Sequence, residues 1–364
     1  MSKAAELANL IGNINAGGGG VNRNLVINGA MNVAQRGTSS TGIGGSSGYF
    51  TCDRWLIAQS GDGRLTMTQD SSVPTGKGFA NSIKLDCTTA DTSIASSEFL
   101  QIVQKIEGQN LQSIGKGTSD AKPITVSFYV KANAAFNFVC ELNDLDNSRH
   151  ISKLFSTTTD WVKHEITFPA DTTGAFDDDN AASLNLTFWL HAGSTYSSGT
   201  LNTASFASRT DANRAAGVSS FYSSTDNNFF ITGVQLEVGQ NPTSIEHEPF
   251  ERTLDKCRRY TYVMGGDGVY ERYAVGYNQS STQARCVTFY PTTMRTTPTT
   301  TKTDPLIVAH RSTPQSVDSI SVDYNSKTVG HIQYNVSSGL STGEGSHIVA
   351  NNDANARLTF DSEL

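Results

Sequence analysis

Charge is scarce in this chain of 364 residues. Asp, Glu, Lys and Arg make up 17% and hydrophobic residues 37%, both below the globular average. No block of Lys and Arg occurs, and the net charge is −7, so nothing draws in nucleic-acid phosphates. No run of about 18 apolar residues exists, so no helical membrane span is expected. The opening MSKAAELANLIGN lacks the charged-then-apolar order of a signal peptide. That predicts synthesis in a cytoplasm and retention there until a cell lyses or a particle assembles. Cysteine is sparse and odd in number: Cys52, Cys87, Cys140, Cys257 and Cys286 stand far apart with no CxxC. This spacing argues against a disulfide framework or a zinc site and for small buried residues. GxxxxGK[ST], HExxH and GxSxG are all missing, so no catalytic residue, metal or cofactor is assigned.

Short uncharged polar residues and 32 glycines fill the gap. Ser, Thr and Asn compete for the backbone and make poor helix, yet suit turns and the solvent faces of strands. The alternations Ile124-Val126-Phe128-Val130 and Leu184-Leu186-Phe188-Leu190 have the period of two that buries one strand face. Strands are predicted at Asn24–Asn28, Trp55–Ala58, Leu65–Thr68, Ser82–Asp86, Phe136–Leu142, Trp161–Phe168 and Phe229–Val238 as well, with Glu98–Ile106 open between strand and helix. Long Gly/Ser/Asp-rich loops are expected at 37–48, 171–183 and 193–228, and loops of that length carry binding or assembly surface.

Four segments follow: a docking helix and glycine tether (1–21), a large β domain (22–248), a linker helix (249–266) and a small β domain (267–364). In the first, Leu7, Ile11 and Ile14 fall on one helical face, ahead of the flexible Gly17–Gly20. Burying those three side chains is worth about 1.5–3 kcal/mol each, too little to hold an oligomer, which suits docking on a larger assembly. The last domain carries Tyr, Thr and Gln where a self-sufficient core would carry Leu and Ile. It is therefore expected to be completed by copies of itself.

Chemistry-bearing clusters are few. Asp144-Leu-Asp146-Asn-Ser148 starts like a calcium loop, but Arg149 and Phe155 stand where that loop needs Gly and Glu, so it reads as a turn. Asp177-Asp178-Asp179-Asn180 reads as a solvated turn that could also hold a hard cation. His247, between Glu246 and Glu248, reads as a surface residue. Of the three tryptophans, Trp55 reads as core, while Trp161 and Trp189 stand between core and sugar-stacking roles. Trp189 and Tyr196 are the glycan-binding candidates, because the longest polar loop region starts directly after Trp189.

Two segments resemble phage tail-fibre and receptor-binding virion proteins. NLVINGAMNVAQRGTSSTGIGGSSGYFTCDRWLI (24–57) is similar to the opening of their sandwich domain, with Asn28-Gly29, Gln35-Arg36-Gly37 and Asp53-Arg54-Trp55. ITGVQLEVGQNPTSIEHEPFERTLDKCRRYTYV (231–263) resembles the closing strand and the linker helix that follows. Phe289–Thr299 and Ala356–Leu364 resemble the C-terminal segments of such fibres. More distantly, the large domain is similar to jelly-roll carbohydrate-binding modules. Ala30, Asn32 and Thr232 stand where those carry acidic residues around a structural calcium, a departure that argues against that calcium and leaves it unassigned here.

The resemblance implies an all-β protein: a jelly-roll β-sandwich, a linker helix and a smaller C-terminal β domain. It implies a homotrimeric, non-enzymatic virion subunit, a tail fibre or short appendage, assembled in the host cytoplasm and attaching to host surface glycan. Its N-terminal helix would dock on another virion protein, and Asp53, Arg54 and Trp55 would serve the fold. A tail-associated glycan depolymerase and a ligand-free capsid-decorating or head-fibre protein are the alternatives.

Overall fold

A computed structural model describes residues 2–15 (side chains through Ile11), 23–303, 305–311 and 313–364. The chain folds into two compact units that divide between Thr253 and Leu254. The Gly17–Gly20 tether and the Ile14 side chain lie outside the described residues. Helix Lys3–Asn15 is present, with Leu7 57% and Ile11 49% exposed.

The first unit carries strands β1 (Ser39–Ile43), β2 (Gly48–Tyr49), β3 (Leu56–Ser60), β4 (Arg64–Asp70), β5 (Ser82–Thr89), β6 (Phe99–Glu107), β7 (Ile124–Ala132), β8 (Asn137–Asp144), β9 (Arg149–Ser156), β10 (Val162–Phe168), β11 (Ala182–Ala192), β12 (Ala207–Ser208) and β13 (Asn228–Val238). They form two antiparallel sheets. One has the order β1-β4-β5-β13-β7-β10, the other β12-β9-β8-β11-β6-β3-β2. Strands far apart in sequence lie side by side, which gives the crossed connections of a jelly roll. The inner faces pack Ile83, Leu85, Val126, Phe128, Phe138, Leu186, Phe188 and Leu236 into one core. The segment left open between helix and strand is β6. Its Leu100, Ile102 and Ile106 reach that core, and a strand has room for Gln101, Val103 and Lys105 on the other face.

Two expectations are corrected. Asn24–Asn28 is not a strand. The Asn24 side chain accepts from the amides of Val26 and Leu236, and Asn28 adopts φ 59°, so side-chain bonds replace a ladder there. The 37–48 stretch is not one loop but holds β1, which pairs with β4, and the start of β2, which pairs with β3.

Asn28 anchors a polar knot. Its amide donates to the carbonyls of Val33 (2.8 Å) and Asp53 (3.0 Å) and accepts from the Val33 amide (3.0 Å). Asp53 accepts from the Gln35 amide at 3.0 Å, and Arg54, in the left-handed region at φ 73°, donates to the Lys105 carbonyl at 2.7 Å. Trp55 donates its indole N–H to the Asn28 carbonyl at 3.1 Å and is 0% exposed. Glycine is required at position 29, where a Cβ would lie 2.0 Å from the Val234 carbonyl oxygen.

The second unit opens inside helix Phe250–Arg258, which ends earlier than the expected linker helix. Thr261–Met264 is a strand instead, because its β-branched and aromatic residues pair with Leu358–Asp361. Numbered onward, the strands are β14 (Thr261–Met264), β15 (Arg272–Ser280), β16 (Gln283–Phe289), β17 (Thr299–Lys302), β18 (Leu306–Ala309), β19 (Gln315–Ser316), β20 (Ser319–Val322), β21 (Val329–Asn335), β22 (Gly345–Ala350) and β23 (Leu358–Asp361). They make the sheets β14-β23-β17 and β19-β18-β22-β15-β16-β21-β20. Tyr273, Cys286, Ile332, Tyr334, Ile348 and Phe360 are among the residues of their shared core. Burial pushes the Cys286 thiol up to about 12, and all five cysteines are buried and free.

Because Trp55 fills the sandwich core and closes the knot, Trp55→Ala should cost about 3–5 kcal/mol in urea unfolding. An equally stable Trp55→Ala protein would show that the knot holds without it.

Candidate functional site

The two outer faces of the sandwich differ. On the β6–β8–β9–β11 face, segment 193–223 folds over the strands. Val139, Trp189 and Ala215 form a buried cluster with Phe99, Tyr196 and Val218 packed on it. Under this cover Glu141 is fully buried. It accepts from Arg214 Nε (2.8 Å) and a second Arg214 nitrogen (2.9 Å), from Trp189 Nε1 (2.9 Å), and contacts His150 Nδ1 at 3.2 Å. The Arg214 guanidinium lies 4.9 Å from the Trp189 ring centre.

Trp189 is therefore corrected as a glycan platform. Its ring is enclosed, and its one polar atom is spent on Glu141. Tyr196 is half-buried and packs edge-on against Phe99 at 5.7 Å, as part of the same cover. The long loop that pointed to these two residues works as a wall of this unit.

Of the acidic residues weighed for a cation, Asp177, Asp178 and Asp179 are exposed, whereas Asp144 is engaged by a cation of the protein itself. Asp144, at the β8–β9 turn, binds the Lys116 ammonium at 2.6 Å, and Asp171 joins at 3.2 Å. The carbonyls of Thr173 (2.9 Å) and Gly174 (2.7 Å) complete the shell. A buried ammonium thus occupies the oxygen cage that a hard cation would need. Among the described residues no group of three His, Cys, Asp or Glu side chains is placed to hold a metal ion.

The outer face of the other sheet is partly open. Segment 239–248 crosses one part of it. Glu237 accepts from the Thr243 amide (2.8 Å) and hydroxyl (2.7 Å), and Gln235 accepts from the Glu246 amide (2.8 Å). The rest carries a row of ammoniums and rings, in which Tyr129 and Trp161 are half-exposed and Phe230 is buried beneath its lysine neighbours. Phe230 is paired across the strands with Lys84 and Lys131. Trp161 precedes Val162, the partner of Val130, and so stands beside Lys131. Its ring meets Phe230 edge-on at 6.1 Å. In the next row Tyr129 stands between Thr232 and Lys163.

Phe79 lies over this row, 5.6 Å from Tyr129 and 5.3 Å from His247. Gly233 makes room for it. The strand bulges there at φ 63°, and a Cβ would lie 2.5 Å from the Phe79 ring. A groove of about 460 Å³ results, lined by Lys77, Ser127, Tyr129, Lys163, Ile245 and His247 among others. Half-buried rings beside hydroxyl and ammonium donors can stack on the C–H face of a sugar and bind its oxygens.

Sequence reasoning singled out Trp161 but missed Tyr129, Phe79, Lys77 and Lys131. The signal for two of them was at hand: if Val126, Phe128 and Val130 face inward, Tyr129 and Lys131 must face out.

No protein-family model matches the sequence, and neither does any curated protein. Among solved structures the chain is similar to the enzymatically active domain of tailspike protein 4 of bacteriophage CBA120. The identity is 13% and the TM-score 0.33, covering 59% of this chain and 21% of that one. It is also similar to the family 11 carbohydrate-binding module of Clostridium thermocellum in complex with a β-1,3-1,4-mixed-linked tetrasaccharide (12%, TM-score 0.28, 58% and 99%). A third is the N-terminal cellulose-binding domain of β-1,4-glucanase C of Cellulomonas fimi (11%, TM-score 0.27, 60% and 100%).

The cover over Trp189 should depend on pH. Burial alone would raise the Glu141 carboxyl, but the His150, Arg214 and Trp189 contacts outweigh it and hold the group below its ordinary value. A depressed folded value contributes stability above the unfolded value of about 4.3, and that contribution fades as pH falls through the folded one. Acidification below about pH 4 should therefore loosen the cover, seen as a change in tryptophan fluorescence ahead of global unfolding. Arg214→Met, which strands the buried carboxylate, should cost about 3–5 kcal/mol at neutral pH. A stable Arg214→Met protein would mean that the apolar cluster alone holds the cover.

Proposed function

We propose that this chain is a non-enzymatic subunit of a phage particle whose sandwich unit binds host surface glycan. The open face around Tyr129, Trp161 and Phe230 makes the contact. The observation that carries the glycan proposal is the bulge at Gly233, which sets Phe79 over Tyr129 and leaves a ring-lined groove beside polar side chains. The virion context rests on the sequence resemblance around Asn28-Gly29, Asp53-Arg54-Trp55 and Cys257-Arg258-Arg259-Tyr260. In the same proposal the N-terminal helix, with Leu7 and Ile11 facing solvent, docks on another protein of the particle.

The second unit serves as the homotrimer contact. Its β15–β16 face carries Val275, 69% exposed, paired with Val287, and Phe289, 73% exposed, two residues further on. Tyr277 stands beside them. On this face Arg285 pairs with Asp323 at 3.1 Å, while Arg272 lines the same surface with no ion pair among the described residues. An exposed apolar patch of this kind suits another copy of itself.

Tyr129→Ala and Trp161→Ala, both at half-exposed positions, should abolish retention on host polysaccharide while leaving the unfolding midpoint within about 0.5–1 kcal/mol of the parent. The polysaccharide should keep its chain length throughout. Steady shortening would favour the depolymerase alternative, and undiminished retention would move the site elsewhere. For assembly, light scattering of the full chain should give a trimer mass, and the double variant Val275→Asp/Phe289→Asp a monomer. A parent that already runs as a monomer would refute the contact.

A further inference from the structure

We propose that the sugar bound at this face carries an anionic group, a carboxylate or a phosphate, seated between Lys77 and Lys131. The inference rests on the face being the glycan site and adds the chemical class of its ligand.

The argument starts from how the four lysines of the face are compensated. Lys84 pairs with Asp86 at 2.8 Å, and Lys163 with Glu165 at 2.6 Å. Their charge is answered within the sheet. Lys131 and Lys77 are different. The Lys131 ammonium lies 4.9 Å from the Phe230 ring centre and 3.4 Å from the Ser72 hydroxyl, and among the described residues no carboxylate comes within 4.0 Å of it. Lys77 stands exposed at the groove beside Tyr129 and likewise makes no ion pair among the described residues. Glu6 of the N-terminal helix also lines this groove, and it too is without an ion pair among the described residues.

The ring contact does not neutralise Lys131. A cation over an aromatic face keeps its charge and its N–H donors while its stem covers the ring. In a protein of net charge −7, two ammoniums without ion pairs on one ring-lined face, set against the single carboxylate of Glu6 at the groove, are a local exception to the overall balance. They supply charge-assisted donors, roughly twice as strong as neutral ones, at the edge of a stacking platform. A neutral sugar would leave those donors facing water. An anionic sugar uses the rings for its C–H face and the ammoniums for its charged substituent. The negative field of the whole protein slows the approach of such a ligand, so the preference must come from close contact and show in the dissociation rate.

The test is retention of the full-length chain on immobilised polysaccharides of three kinds: neutral homopolymers, uronic-acid polymers and sugar-phosphate polymers. Binding to one or both anionic kinds is expected. It should weaken about tenfold or more in Lys77→Gln/Lys131→Gln, and fall again between 0.15 and about 0.5 M NaCl as screening shortens. Which anionic arm binds separates carboxylate from phosphate. Equal binding of neutral polymers, unmoved by the lysine changes but lost in Tyr129→Ala, overturns the anionic inference and leaves the face as a glycan site. Binding that survives both Tyr129→Ala and the lysine changes overturns the face itself, as does no retention on any of the three.

Discussion

A single side-chain amide, that of Asn28, holds the start of the sandwich in register. It ties the segments at Val33 and Asp53 together, and the backbone carbonyl of Asn28 receives the Trp55 indole N–H. All of these groups are buried, where leaving one polar partner unmade costs about 1–3 kcal/mol. The knot therefore behaves as a unit. It fixes Trp55 in the core, sends β3 alongside β6, and brings Gly29 against Val234 at the middle of β13. The position of β13 in turn sets the bulge at Gly233 on which the open face depends.

The sandwich treats its two outer faces in opposite ways, and electrostatics explains how. On one face a buried carboxylate, Glu141, is answered by Arg214 from the covering segment, together with Trp189 and His150 of the sheet, so the cover is specified by this charge pair. On the other face segment 239–248 spends its polar contacts on Gln235 and Glu237 and flanks Tyr129 with Ile245 and His247, leaving a groove between them. Beyond it the ring of Phe230 is shielded by the stems of Lys84 and Lys131, while Trp161 stays half-exposed.

Lys116 shows the same economy. Three irregular segments, around 116, 144–147 and 171–174, would need a cation to bring their oxygens together, and the chain supplies its own in the form of an ammonium. Such a cation has no dissociation constant and no dependence on an external ion.

The sequence alone determined what depends on local period and composition. Alternation in β7 and β11 marked the strands and their inward faces, the shortage of charge and helix formers marked the all-β class, and Asp53-Arg54-Trp55 stood out as a motif. It also held Tyr129 and Lys131 in outline, as the outward parity of a strand whose inward parity was plain. What only the tertiary structure decided is which face stays open. Trp189 lies within β11 between Phe188 and Leu190, and Trp161 directly precedes β10; neither local context says whether the ring will be covered. The first is covered because Arg214, some 25 positions on, reaches Glu141 on the neighbouring strand. The second is left open because the segment after β13 is tied down elsewhere. Burial of an outward side chain depends on which distant segment folds over it. That is set by contacts between residues far apart in the chain, on which local periodicity carries no information.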